Sequence, residues 1–306
     1  MSTKDAYSPL CVGIGELLWD LLPSGKALGG APVNVAAHAA QLGVRGAAVS
    51  AVGDEPEGRE ILQRLQALGV DASGVQVRND LPTGAVDVKL EAAGVPSFTI
   101  RAPAAWDAIA MDAVLERLAG EAGAVVFGSL AQRDPRSRDA IQTFLRAVRP
   151  GCLKVFDVNL RRPFLLPQVI LDSLELADVL KLNDEELPVL AELLGLQAED
   201  ETARLQAIRK LFNLYLVVYT RGAKGSRMIT EYQDESHPVY PVKIEDTVGA
   251  GDAFTAAVTV GLLQGMELPA IQELAGRVAS FVCSRAGAVP RLPEEIVDAF
   301  KQQATL

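Results

Sequence analysis

Residues 246–254 read Asp-Thr-Val-Gly-Ala-Gly-Asp-Ala-Phe, and the interpretation of the whole chain starts from this stretch. Its small residues, Gly249, Ala250 and Gly251, open an apolar segment that is typical of a helix. Small residues leave the first N–H groups of a helix uncovered, and these groups bind anions together with the positive end of the helix dipole. Taken alone, Asp252 is compatible with either an ordinary helix-stabilising acid or a functional carboxylate. The glycines on both sides of Ala250 favour a phosphate site, in which Asp252 accepts a proton from an attacking hydroxyl.

Around this stretch, short apolar segments alternate with segments of helical period. The alternation predicts an α/β fold with a mostly parallel sheet covered by helices on both faces. The predicted strands are 10–15, 47–52, 124–130, 154–159, 179–183 and 215–220. The predicted helices are 31–42, 56–68, 136–148, 166–176, 184–194, 202–212, 250–263 and 269–285.

The segment 85–100 departs from this alternation. Val86 and Val88 alternate with polar residues such as Asp87, and the pattern resumes after a turn at 92–94. A hairpin that is buried on one side only does not fit inside a parallel sheet, so we expect it to project as a small lid. Its apolar face must be covered, and the lid of a second subunit would cover it, which predicts a homodimer.

Composition and charge restrict the class of protein. The chain has 306 residues, of which 49% are hydrophobic and 22% charged, as in a globular protein. The net charge of −10 argues against a general nucleic-acid binder, which needs a basic face. Three widely spaced cysteines suggest no disulfide framework and favour a reducing compartment. We expect no signal peptide, no membrane span and a cytoplasmic location.

Polar residues near the N-terminus suit a small polyol. Gly29 and Gly30 run into a predicted helix that carries Asn34. The glycines form either a plain turn or a place where a ligand approaches the backbone, and the amide of Asn34 can donate and accept toward hydroxyls. Asp20 is either a surface acid of the lid or an acceptor for adjacent sugar hydroxyls. His38 is interpreted as a residue of the helix rather than as a base.

Further polar groups follow three of the predicted strands. They begin at Asp157, Asn183 and Thr220. Each group alone is compatible with an ordinary loop, but open α/β sheets bind their ligands at the carboxyl ends of the strands. Other phosphate motifs, such as a P-loop or a dinucleotide fingerprint, are missing from the sequence.

Together these residues resemble the ribokinase-like (phosphofructokinase-B) carbohydrate kinases, nearly from end to end. The resemblance is carried by Gly29-Gly30 with Asn34, Asn183 with Glu186, Thr220-x-Gly222-x-x-Gly225, and 246–254. It implies a ribokinase-like three-layer sandwich, with a mostly parallel central sheet and a small β lid. We expect a single domain over 1–306, with the lid built from about 14–29 and 83–103.

The resemblance also implies a role for each matching residue. Catalysis would use Asp252 as the base and the amides of Gly249, Ala250, Gly251 and Asp252 as an anion hole. The sugar would be held by Asp20, Gly29, Gly30, Asn34 and Arg161. ATP would be contacted by Asn183, Thr220, Gly222, Lys224 and Gly225, with the helix near 279–284 close by. Mg²⁺ would be organised by Glu186 and Asn183, largely through water, and K⁺ by Asp246, Val248 and the 285–290 loop.

Within this family, five stretches look like those of fructokinases. They are 15–23, 28–32, 105–107, 128–131 and 157–161. Residues 162–166 depart from the aromatic-rich stretch of many relatives. Arg133 and Arg161 suit either the hydroxyls of a neutral sugar or an acidic group.

The sequence therefore predicts a kinase acting on a primary hydroxyl of a small sugar, with fructose as the first choice. A 2-keto-3-deoxygluconate kinase and a ribokinase are the alternatives within the family. A catalytically silent relative and a nucleoside or vitamin kinase are the other readings, and the low aromatic content of 5% argues against the latter.

Overall fold

The computed structural model describes residues 8–23, 25–90, 96–197 and 200–303. Its strands are β1 (Leu10–Ile14), β2 (Leu18–Leu22), β3 (Gly25–Gly29), β4 (Arg45–Gly53), β5 (Val70–Arg78), β6 (Gly84–Leu90), β7 (Pro96–Ile100), β8 (Ala122–Phe127), β9 (Leu153–Asp157), β10 (Val179–Asn183), β11 (Leu216–Thr220), β12 (Ser226–Ile229) and β13 (Asp234–His237). Its helices are α1 (Ala31–Gln41), α2 (Pro56–Ala67), α3 (Ala113–Glu121), α4 (Pro135–Ala147), α5 (Pro167–Leu176), α6 (Glu186–Leu193), α7 (Glu201–Leu211), α8 (Ala250–Leu263), α9 (Leu268–Cys283) and α10 (Glu294–Gln303).

The central sheet has nine strands in the order β13-β12-β11-β10-β9-β8-β1-β4-β5. All neighbouring pairs from β11 to β5 are parallel, and β12 and β13 add antiparallel strands at one edge. The inner parallel strands are mostly apolar because helices bury both of their faces. On β1, for example, Leu10, Val12 and Ile14 face one core and Cys11 faces the other.

Helices α3 to α7 cover one face of this sheet, and α1, α2, α8, α9 and α10 cover the opposite face. The result is the three-layer arrangement that the sequence predicts. Because the strands between β1 and β11 run in one direction, their carboxyl ends meet at one edge. That edge also receives the start of α8.

A second, four-stranded sheet has the order β3-β2-β6-β7. Strands β6 and β7 pair antiparallel, with Val88 opposite Phe98, as the sequence predicts, and the turn predicted at 92–94 lies outside the described residues. Val86 and Val88 are buried with Leu18, whereas Phe98 is 59% exposed. Strand β2 adds to this hairpin in parallel, a pairing between distant segments that local sequence patterns do not indicate.

Several elements were not predicted. Strand β5 carries mixed polar and apolar residues because it forms the edge of the sheet, so it lacks the continuous apolar run of the inner strands. Helices α3 and α10 are short and amphipathic, and they were likewise not among the predicted helices. No helix in the described ranges is long and apolar enough to cross a membrane.

A buried ion pair joins the second sheet to the main body. Arg133 donates two hydrogen bonds of 2.8 Å to Asp107 and a third of 2.9 Å to the carbonyl of Arg101, just after β7. Its guanidinium also lies 3.9 Å from the ring centroid of Trp106. The expectation that Arg133 faces a substrate is therefore not supported, because its charge is already neutralised by Asp107.

The aromatic pair in the core gives a direct test of this packing. Phe156 is fully buried and stacks on Phe127 with ring centroids 5.2 Å apart. Phe156→Ala leaves a cavity, so we expect the free energy of unfolding in urea to fall by about 3–5 kcal/mol. Tyr232→Ala is the control, because Tyr232 is 87% exposed and its loss should change stability by no more than about 0.5 kcal/mol. Equal effects of the two substitutions would contradict the described core.

Candidate active site

The start of α8 lies where the phosphate site was predicted. Gly249 adopts a left-handed conformation with φ of 78°, and its carbonyl accepts the N–H of Ala253 at 2.8 Å. The N–H of Ala250 donates to the carbonyl of Thr247 at 3.3 Å, so it is already partnered. The N–H groups of Gly251 and Asp252 find no acceptor in the described parts of the chain. The N–H of Gly249 likewise has no acceptor among the described residues, so within the predicted set 249–252 the N–H of Ala250 is the one with a backbone partner.

The side chain of Asp252 is held by a residue from the other end of the chain. Asn34, in the first turn of α1, donates from Nδ2 to Oδ2 of Asp252 at 2.8 Å. Burial raises the pKa of Asp252 to about 6, and the Asp157 charge adds to the rise, while the Asn34 hydrogen bond, Lys181 and Arg161 oppose it. Asp252 nevertheless keeps part of its surface exposed. A carboxylate with a pKa of about 6 is mostly ionised at neutral pH and can accept a proton.

The Gly29-Gly30 turn lies directly against Asp20 and Glu16. A side chain at Gly29 would overlap the carboxylate of Asp20, and Gly30 has φ of 123° with its backbone against the carbonyl of Glu16. Burial raises the pKa of Asp20, and the nearby Arg161 opposes that rise. Glycine is required at position 30 because of its backbone conformation and this close backbone approach, whereas a side chain at position 29 would displace the carboxylate of Asp20.

Arg161 is an exposed cation among carboxylates. Its charge lowers the pKa of three acids, Glu16, Asp20 and Asp252, which places it near all of them. Glu16 is buried, its Oε1 accepts the N–H of Ala31 at 3.3 Å, and its Oε2 has no partner among the described residues. Burial raises the pKa of Glu16 to about 7. This cluster of side chains, here called the pocket, therefore combines one cation with several hydrogen-bond acceptors.

A buried cation lies behind the start of α8. Lys181, on β10, is 3.1 Å from Oδ1 of Asp157, and Oδ2 of Asp157 accepts the hydroxyl of Thr255 at 2.9 Å. A Cβ added to Gly251 would stand 3.3 Å from the ammonium of Lys181. Burial works to lower the pKa of Lys181, but Asp157, Glu186 and Asp252 outweigh it and raise the pKa. The ammonium thus stays charged directly behind the anion site.

The ends of β9 and β10 are joined through Glu186. Its Oε1 accepts the N–H of Leu160 and its Oε2 accepts the N–H of Asn183, both at 2.9 Å. Oδ1 of Asn183 in turn accepts the N–H groups of Glu185 and Glu186 at 2.9 Å. Burial raises the pKa of Glu186, and Lys181 opposes the rise. Glu186 and Asn183 are in the same hydrogen-bonded turn, as their spacing suggests.

The predicted nucleotide residues follow β11, the next strand. Thr220 pairs directly with Asn183 across the two strands. Gly222 and Gly225 take positive φ values of 50° and 83°, and the N–H of Arg221 donates to the carbonyl of Gly225 at 2.8 Å. A Cβ at Gly222 would meet open space, and Lys224 is exposed. The loop is therefore a tight turn that leaves its outer face open.

Asp246 links the two loops that flank the start of α8. Its Oδ1 accepts the N–H of Val248 at 3.0 Å and its Oδ2 accepts the N–H of Gly287 at 3.2 Å. The predicted cation residues Asp246 and Val248 thus lie next to the 285–290 loop. Across the described ranges no three His, Cys, Asp or Glu side chains are grouped so as to hold a metal ion directly.

Sequence reasoning missed three members of this cluster: Lys181, Glu16 and Thr255. A charged residue inside the otherwise apolar strand β10 was a usable signal for Lys181, because a lone charge is rarely buried without a partner. Glu16 and Thr255 carried no comparable signal. Their partners are set by tertiary contacts.

The family model described as pfkB family carbohydrate kinase matches residues 24–295. The chain belongs to this family. An uncharacterized sugar kinase of Pyrococcus horikoshii is 32% identical, over 93% of this chain and 94% of its own length. Its crystal structure superposes with a TM-score of 0.82 over 96% of this chain and 99% of that one, and it was also solved in complex with ATP.

Other pfkB relatives carry more specific names. A fructokinase of Klebsiella pneumoniae is 31% identical over 81% of this chain and 83% of its own length. The structure of a Xylella fastidiosa fructokinase with bound ATP matches with a TM-score of 0.83 over 96% of this chain and 99% of that one, at 24% identity. The family, the ribokinase-like fold and the likeness to fructokinases that the sequence predicts are thus confirmed.

The hydrogen bond from Asn34 to Asp252 can be tested without any substrate. Asn34→Leu removes the donor that stabilises the ionised carboxylate, so the pKa of Asp252 should rise above about 6. A ¹³C NMR titration of aspartate carboxyl carbons measures it, with Asp252→Asn identifying the resonance. Asn79→Ala, an exposed site, should leave the titration unchanged. An unaltered pKa in Asn34→Leu would contradict the described hydrogen bond.

Proposed function

We propose that this protein transfers the γ-phosphate of ATP to a primary hydroxyl of a small neutral sugar, with fructose as the substrate and fructose 6-phosphate as the product. The observation that carries the proposal is the position of Asp252. Its carboxylate, on a partly buried residue, is held by Asn34 at the same helix end that presents the open N–H groups of Gly251 and Asp252. A base and an anion site are therefore within one turn of each other.

In this reaction Asp252 accepts the proton of the sugar hydroxyl. The hydroxyl oxygen forms a bond to the γ-phosphorus as the bond to the bridging oxygen breaks, and ADP leaves. The negative charge that develops on the transferred group faces the N–H groups of Gly251 and Asp252, with the ammonium of Lys181 behind them. Phosphoryl transfer depends on such positioning and charge stabilisation more than on covalent catalysis.

Asn183, Thr220, Gly222, Lys224 and Gly225 are proposed to bind ATP. Their support is the open turn after β11 and the ATP complex of the Pyrococcus horikoshii relative. The carboxylate of Glu186 fits an outer contact with Mg²⁺ because both of its oxygens already accept backbone N–H groups. Bound Mg²⁺ would neutralise charge on the phosphates of ATP. K⁺ beside Asp246, Val248 and the 285–290 loop stays a prediction.

The charges of the pocket favour a neutral sugar over an acidic one. Arg161 already faces Glu16, Asp20 and Asp252, and Arg133 is committed to Asp107. A substrate carboxylate, as in 2-keto-3-deoxygluconate, would meet more acids than free cations. Asp20, Gly29, Gly30 and Asn34 instead offer acceptors and close backbone approach, which suit sugar hydroxyls. The name of the Klebsiella pneumoniae relative points to fructose in particular.

The second sheet is proposed to act as a lid that closes over the sugar and excludes water, limiting hydrolysis of ATP. Phe98 and Leu22 of this sheet are 59% and 40% exposed. Their cover is proposed to be the same sheet of a second copy, in a cytoplasmic homodimer.

Asp252→Asn tests the proposed base. The amide cannot take the hydroxyl proton, so kcat should fall by about 10³-fold or more, equal to about 4 kcal/mol of transition-state stabilisation. A coupled assay of ADP release measures kcat, and calorimetry should show that sugar binding is kept. Asp139→Asn, on the exposed side of α4, is the matched control. Activity of Asp252→Asn within tenfold of wild type would remove Asp252 as the base.

The sugar is tested by the same assay on fructose, ribose, 2-keto-3-deoxygluconate and adenosine. Because the pocket holds more acids than free cations, we expect the highest kcat/KM with fructose and at least about tenfold less with the ketodeoxy acid, a difference of about 1.4 kcal/mol. A preference for the acid would contradict the charge argument. Absence of phosphorylation with every sugar would favour a catalytically silent relative.

A further inference from the structure

Helix α1 is buried along most of its length, yet one of its faces carries three polar side chains. They are Asn34, His38 and Gln41, which are separated by four and then three residues and therefore lie in one row along the helix. Asn34 is 4% exposed and His38 is fully buried. The other buried residues of this helix are apolar, so the row is a distinct polar seam within the core.

All three side chains of this row bind the C-terminal part of the chain. Asn34 reaches Asp252, as described above. Gln41 donates to the carbonyl of Pro290 at 3.3 Å and accepts the N–H of Leu292 at 2.8 Å. Between them, Nε2 of His38 lies 2.9 Å from the carbonyl oxygen of Ala288. The row thus fastens α1 both to the base and to the segment 288–292.

The contact of His38 fixes its tautomer. A carbonyl oxygen only accepts, so the proton must be on Nε2. Nδ1 is then a bare acceptor, and it has no partner among the described residues. An unpartnered buried nitrogen costs stability, and an apolar side chain would not incur this cost. Packing of the core would therefore favour an apolar residue at this position, and the hydrogen bond to Ala288 is what a histidine adds.

Ala288 forms the wall behind Gly249. A Cβ at Gly249 would overlap both the carbonyl oxygen and Cα of Ala288, so the two backbones are in direct contact. Gly249 is the residue whose left-handed conformation turns the chain into α8. A displacement of the Ala288 peptide would therefore change the turn that aims the N–H groups of Gly251 and Asp252.

We propose that His38 is a positioning residue for phosphoryl transfer: by holding the Ala288 carbonyl, it fixes the turn at Gly249 and so orients the anion site. The proposal rests on the proposed kinase function for its kinetic effect and on the geometry alone for its structural effect. His38 touches neither substrate in this account. It acts on the same helix end as Asn34, through a different contact.

Kinetics of three variants test the role of His38. His38→Leu has no N–H donor, and the side chain of His38→Asn is too short to reach the Ala288 carbonyl. Both variants should lower kcat by about 10- to 100-fold, because small misplacements of reacting groups reduce the rate by this much. KM for the sugar should stay within about threefold, because the sugar residues are unchanged. His38→Gln places an amide N–H near the position of Nε2 and should restore kcat to within about threefold of wild type. Equal kcat in all three variants would overturn the proposal.

Hydrogen exchange gives a readout that does not depend on activity. The amides of 246–252 and 285–292 should exchange faster in His38→Leu and His38→Asn, and at the wild-type rate in His38→Gln. Val35→Ala is the matched control, since Val35 is a buried apolar residue of the same helix that lies outside the polar row. It should leave kcat and the exchange of both segments unchanged. Unaltered exchange in His38→Leu, or the same change in Val35→Ala, would overturn the proposal.

The two readouts separate this proposal from the proposed function. A wild-type protein that phosphorylates no sugar contradicts the kinase proposal, and the exchange pattern then decides the role of His38 in holding the turn. An active wild type with unaltered exchange and kcat in the variants contradicts the role of His38 alone.

Discussion

The hydrogen bond between Asn34 and Asp252 connects two helices whose residues are 218 positions apart in the chain. It brings α1, which follows the Gly29-Gly30 turn, to the helix end that carries the proposed anion site. Both helices pack on the same face of the central sheet, so the bond depends on that packing. The position of the Gly29-Gly30 turn relative to the start of α8 therefore depends on tertiary contacts between the first and last thirds of the protein, and this hydrogen bond is one of them.

Positively charged groups lie near this contact, although the protein as a whole is negatively charged. The chain is acidic, with a net charge of −10, and the site itself contains the carboxylates of Asp20, Asp157, Glu186 and Asp252. Positive potential comes from the buried ammonium of Lys181 on β10, from the guanidinium of Arg161 and from the start of α8. These sources are local and fixed by the fold. Burial raises the pKa of Asp252 to about 6, and the Asn34 hydrogen bond, Lys181 and Arg161 limit this rise, so the carboxylate stays mostly ionised near neutral pH.

Local patterns predicted the parts of the molecule that local interactions determine. The apolar strands, the helix start at 249–252 and the hairpin of β6 and β7 each follow from residues close in sequence. Pairings between distant segments could not be found in this way, and these include the parallel addition of β2 to β6 and the contact of Lys181 with Asp157. Arg133 shows the same limit, because nothing near it in sequence indicates that Asp107 neutralises its charge. His38 was identified as a helix residue, but its contact with Ala288 depends on how two distant segments meet.

The most direct test of this account is a crystal structure with fructose and a non-hydrolysable ATP analogue. The account predicts a primary hydroxyl of the sugar within hydrogen-bond distance of the Asp252 carboxylate, about 2.6–3.2 Å between oxygens. It also predicts the γ-phosphate on the N–H groups of Gly251 and Asp252. A sugar bound with no hydroxyl near Asp252, or a γ-phosphate held away from the start of α8, would contradict it.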